Sequence, residues 1–115
     1  VDMNRDAAAC IQKNVAKLRF EERSQLLRCD WQQAIPRLKE QKRRFDLVFL
    51  DPPYRMADAY ADALTRLRAR GLLGEDCICL LERAADAQIS LPDGFERYDT
   101  RTYGGTSVEF VREAR

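Results

Sequence analysis

Residues 45–54, Phe-Asp-Leu-Val-Phe-Leu-Asp-Pro-Pro-Tyr, constrain the fold of this chain more than any other stretch, because an apolar run stops at an acid, two prolines and a ring. Leu47, Val48, Phe49 and Leu50 lack polar alternation, which predicts a strand of a parallel sheet covered on both faces. Asp51 then stands at the carboxyl end of that strand, where open α/β sheets gather their ligands. Pro52 and Pro53 fix their own φ and hold the residue before each in extended conformations, so the carbonyls of Asp51 and Pro52 are aimed rather than free.

These residue types suit alkylation of an exocyclic amine on a planar base. Such an amine is a poor nucleophile because its lone pair is delocalised, and it needs orientation more than deprotonation. The Asp51 carboxylate and the Pro52 carbonyl can accept its hydrogens and turn the lone pair toward an electrophilic methyl group in line. Tyr54 offers a flat face on which the base can stack. The plainer alternative is a turn after a strand, and the combination behind an apolar run favours the chemical reading.

The segment FDLVFLDPPY resembles motif IV of the Rossmann-like S-adenosylmethionine-dependent amino-methyltransferases, whose signature is Asp/Asn/Ser-Pro-Pro-Tyr/Phe/Trp. With VDMNRDAAACIQKNVAKL, LLRCDWQQAI, CICLLE and TRTYGGTSVEF, the chain resembles the carboxyl-terminal two thirds of the RsmD-type bacterial 16S ribosomal RNA guanine-N2 methyltransferases. The resemblance implies an α/β fold, a Rossmann-like class I methyltransferase sheet ending in an antiparallel hairpin, with residues 1–115 as the carboxyl-terminal part of one domain. The family's first strand and its Gly-x-Gly motif I have no counterpart here, nor has its arginine-rich amino-terminal segment. The implied activity is methyl transfer from S-adenosyl-L-methionine to the N2 amine of a guanine in ribosomal RNA or a small-subunit particle, in the cytoplasm. The fragment by itself is expected to lack activity. An adenine-N6 methyltransferase is the nearest alternative within this chemistry, and a noncatalytic folding or association fragment is the alternative outside it.

Carried onto this sequence, the resemblance makes Asp51, Pro52, Pro53 and Tyr54 catalytic and sets Tyr54 against the substrate base. It also gives Asp2 the two ribose hydroxyls of the cofactor and Asp30 its adenine amino group, with Trp31 beside the ring. On the residues alone, Asp2 and Asp30 are equally helix-capping acids and Trp31 is equally a core anchor. Arg55 either meets phosphate beside the target base or does nothing, and Tyr103-Gly104 matches a closing Tyr-Gly element that is usually structural.

The remaining pattern predicts a helix over 5–18, capped by Asn4, with Ala8, Ile11, Val15 and Leu18 on its core face. A short strand is expected over 24–29, and Pro36 marks the first turn of a helix through 42. Arg37, Lys39, Lys42, Arg43 and Arg44 make that helix basic, as a solvated face or an RNA contact. Tyr60, Leu64 and Leu67 set a helical stripe that stops at Gly71, with Leu72 closing the cap. Strands follow at 77–82, 95–103 and 107–111, the last two joined by Gly104-Gly105 after a turn at Asp93-Gly94.

A net charge of +1 exerts no global pull on nucleic acid. Four cysteines without a CxxC pair, in a chain without histidine, exclude the usual zinc sets and predict buried free thiols. No apolar run reaches the ~20 residues of a membrane span. The strand edge left open by the missing first strand predicts self-association.

Overall fold

The structure, a computed structural model, describes residues 1–52 and 58–114. The chain forms two compact units, Val1–Gln41 and Lys42–Arg115.

In the first unit, α1 (Arg5–Lys17) starts where Asn4 accepts the Ala7 amide at 2.9 Å, as a short polar side chain does for the orphan donors of a helix. Ala8, Ile11 and Val15 are its covered positions, whereas Leu18, expected on the same stripe, lies past the last turn and is exposed. A single 3-10 turn, Glu21–Arg23, follows. Residues 1–4 and 24–29 form no strand: the bond from the Asp2 amide to the Leu27 carbonyl, 3.2 Å, is the one that joins them, and one bond does not make a ladder.

The second helix, α2 (Trp31–Glu40), begins earlier than the proline suggests. Asp30 accepts the Gln32 amide at 3.0 Å and starts the helix at once, leaving Pro36 in its sixth position. Proline there removes one intrahelical bond, and the cap together with burial of Ala34 and Ile35 outweighs that loss.

The second unit is a four-stranded sheet in the order β1-β2-β4-β3, built from β1 (Phe45–Leu50), β2 (Leu73–Ala84), β3 (Phe95–Tyr103) and β4 (Thr106–Glu113). β1 and β2 run parallel and are joined through α3 (Ala59–Ala69), the crossover a parallel pair requires. β2–β4 and β4–β3 are antiparallel, and Tyr103 faces Thr106 across the two-residue turn Gly104-Gly105. This is the α/β sheet with a terminal hairpin that the sequence predicts.

Tyr60, Ala63, Leu64 and Leu67 of α3 are buried with Cys77, Cys79 and Leu81 of β2 and Val111 of β4. The helix ends as predicted. Gly71 has φ +68°, its amide donates to the Arg68 carbonyl and that of Leu72 reaches the Leu67 carbonyl at 3.0 Å, while the Leu72 side chain is buried. Gly74 is required for a different reason: a Cβ there would stand 2.9 Å from the Phe45 carbonyl oxygen, at the irregular start of the β1–β2 register.

The expected double-sided burial of β1 is not found. β1 lies at the edge of the sheet, and Leu47 and Phe49 are 59% and 55% exposed. β2 likewise alternates, with Cys77, Cys79 and Leu81 buried and Ile78 exposed, and it is twice the predicted length. A continuous apolar run marks a strand, and only the sheet order decides which of its faces are covered. Cys29, Cys77 and Cys79 are buried free thiols and Cys10 is an exposed one. Burial pushes the Cys79 thiol up to about 12.

Candidate active site

Asp51 is the first residue beyond β1, exposed, with Pro52 half-buried behind it. Parallel pairing sets Leu50 opposite Leu81, so the next residues, Asp51 and Glu82, emerge side by side at one end of neighbouring strands. The Asp51 carboxyl acts on that of Glu82: contact with Asp51 holds Glu82 above its ordinary value, and Asp51's charge and then burial act in the same direction.

Glu82 follows Ile78 and Leu80 on the strand face away from α3, and its backbone is fixed from the other side. The Tyr60 hydroxyl, at the start of α3, donates a short hydrogen bond to the Glu82 carbonyl. Tyr60 itself is buried, and its phenol is held above its usual range by desolvation first, then by the charges of Asp51, Glu82 and Glu109, with Arg83 opposing. Asp51 and Tyr60 are thus both held against the end of β2.

Behind this edge, on the α3 face, Glu109 of β4 is 3% exposed and its Oε1 receives Arg83 Nε and Arg97 Nε, each at 3.0 Å. Arg83 also donates to the carbonyls of Ala84 and Ala85. Glu109 Oε2 has no partner among the described residues. The cluster locks β2, β4 and β3 together next to the site.

Asp2 and Asp30 lie in the first unit. One oxygen of each is occupied locally, Asp2 Oδ1 by the Asn4 amide at 2.8 Å and Asp30 Oδ1 by the Gln32 amide. The capping roles are thus realised, and the second oxygen of each has no partner among the described residues, which leaves an acceptor for a hydroxyl or an amino group. Trp31 is half-buried in the first turn of α2, in line with buried Ala34 and Ile35. Tyr54, Arg55 and Pro53 lie outside the described residues. Arg37, Lys39, Lys42, Arg43 and Arg44 are exposed. Arg44 donates to the Leu73 carbonyl at 3.2 Å, at the opposite end of β1 from Asp51.

Two features escape a reading of the sequence. Glu82 was visible only as an acid closing a strand, and the signal was the repetition of Phe-Leu-Asp and Leu-Leu-Glu at the ends of two strands of one parallel sheet. Glu109 was hidden as a strand residue, although Ser107, Glu109 and Val111 alternate as one buried face. Among the described residues no cluster of acids, cysteines or histidines is arranged to hold a metal ion, and no helix is long and apolar enough to cross a membrane.

The family model described as conserved hypothetical protein 95 matches residues 1–112. A conserved hypothetical protein of Streptococcus pyogenes shares the fold with TM-score 0.84 and 31% identity, over 95% of this chain and 66% of its own. A candidate methyltransferase of Escherichia coli matches with TM-score 0.74 and 18% identity, over 96% of this chain and 60% of its own. A candidate methylase of Haemophilus influenzae gives 0.74 and 22%, over 98% and 70%. This chain spans 60–70% of the length of these structures, and the latter two resemblances show the fold alone. No curated protein matches it.

Proposed function

The chain belongs to the conserved hypothetical protein 95 family, and from that premise we propose that it is part of a methyltransferase that transfers a methyl group from S-adenosyl-L-methionine to the exocyclic N2 amine of a guanine in 16S ribosomal RNA. The observation that carries this reading is Asp51, exposed at the carboxyl end of a parallel strand and followed by Pro52-Pro53-Tyr54. The names of the Escherichia coli and Haemophilus influenzae structures support the reaction class.

When bound, the cofactor supplies the electrophilic methyl group. Asp2 and Asp30 each retain one carboxylate oxygen for its ribose hydroxyls and adenine amine, with Trp31 beside the ring. Asp51 and the Pro52 carbonyl receive the hydrogens of the target amine and point its lone pair, an orientation effect that acts in the transition state. Tyr54 stacks on the base and Arg55 meets the adjoining phosphate.

Asp51→Ala in the protein as the gene encodes it is expected to lower single-turnover methyl transfer to small-subunit ribosomal RNA by about 100-fold or more while leaving cofactor affinity nearly unchanged. Unchanged turnover would remove the reading.

A second reading has its own observation. β1 is an open sheet edge with Leu47 and Phe49 exposed, which favours self-association of the chain through that edge.

A further inference from the structure

Methyl transfer as proposed uses Asp51 and leaves its neighbour Glu82 without a role. The parallel register brings the two carboxyls to neighbouring strand ends on one face of the sheet. The pair therefore presents two carboxylate acceptors side by side to two neighbouring donors on one edge of a base.

Resting on the proposed methyl transfer, we propose that Glu82 is a specificity-determining residue that accepts the ring N1–H of the target guanine while Asp51 accepts from its N2 amine. A flipped or unpaired guanine shows these two donors next to each other on its Watson–Crick edge, whereas adenine shows an acceptor nitrogen next to its amine. Guanine offers one donor to each carboxylate, and only hydrogen bonds change. Adenine sets its ring nitrogen, an acceptor, against the Glu82 carboxylate, and neither has a hydrogen to donate. Around Glu82, Asp51 comes from the end of β1, and Tyr60 of α3 is committed to the Glu82 carbonyl. Arg83 is turned to the other face, where Glu109 of β4 holds it.

The test uses the protein as the gene encodes it and RNA oligonucleotides of one sequence that carry guanine, N1-methylguanine, inosine or adenine at the methylated position. Wild type is expected to bind the N1-methylguanine RNA about tenfold or more weakly than the guanine RNA, within the range of a good base contact. Glu82→Ala should reduce that ratio to about twofold. Inosine, which keeps the N1–H and lacks the amine, should bind more tightly to wild type than to Glu82→Ala. Glu82→Gln, whose amide can donate to adenine's ring nitrogen, should bind the adenine RNA better than wild type does. Equal penalties for N1-methylation in wild type and Glu82→Ala would overturn the inference, because Asp51 would then read both donors alone; so would equal binding of the inosine RNA by the two proteins. Methyl transfer by wild type together with either result sinks only the role of Glu82. No transfer to any of the four RNAs sinks the methyltransferase reading and this inference with it.

Discussion

Asp51 and Glu82 carry the same charge when ionised, and their closeness costs free energy wherever both protons are gone. Glu82's carboxyl is raised above its ordinary 4.5 by contact with the Asp51 carboxyl, then by Asp51's charge, then by burial. A carboxyl raised in the folded state adds stability that is complete below its ordinary value and is lost as pH rises through the folded one. The melting temperature is therefore expected to fall as pH rises from about 4 through the titration of Glu82, and Glu82→Gln, which removes the charge, should flatten that part of the slope. Parallel wild-type and variant curves would show that Glu82 does not titrate in this way. The acid itself was legible in the sequence. Its partner was not, because a contact between residues 51 and 82 depends on the strand register, which no local pattern encodes.

Among the elements, the end of α3 and the β2–β4–β3 hairpin carry the scaffold. Gly71 adopts a left-handed backbone, and a Cβ added there would meet no atom within 4 Å, so Gly71→Ala meets conformational strain alone and should cost about 1–2 kcal/mol in chemical denaturation. This cap was readable from Gly71-Leu72 in the sequence, since C-terminal caps are set by local chemistry. The Glu109 cluster was not. Removing one partner of a buried ion pair costs about 3–5 kcal/mol, and because Arg97 is 38% exposed, Glu109→Leu should fall at the low end of that range. A loss within about 0.5 kcal/mol, as for ordinary surface changes, would mean that the triad is dispensable.

For the molecule as a whole, the open edge of β1 is the feature with consequences in solution. Mass measured by light scattering is expected to rise with protein concentration, and Leu47→Lys, which places a charge on an already exposed position of the edge strand, should suppress the rise. A single mass at all concentrations for both proteins would contradict association through this edge.

The sequence by itself determined the elements whose causes are local. Asn4 starts α1, Gly71 stops α3, Gly104-Gly105 turns the hairpin, and an apolar run delivers Asp51 to a strand end. It misplaced the start of α2 because a cap at Asp30 and buried Ala34 and Ile35 outweigh what Pro36 disfavours. Tertiary structure alone decided that one face of β1 stays exposed, that residues 24–29 stay outside any ladder, and that Glu82 meets Asp51. Each of these depends on which strands become neighbours, and strand order and register are set by contacts between residues far apart in the chain.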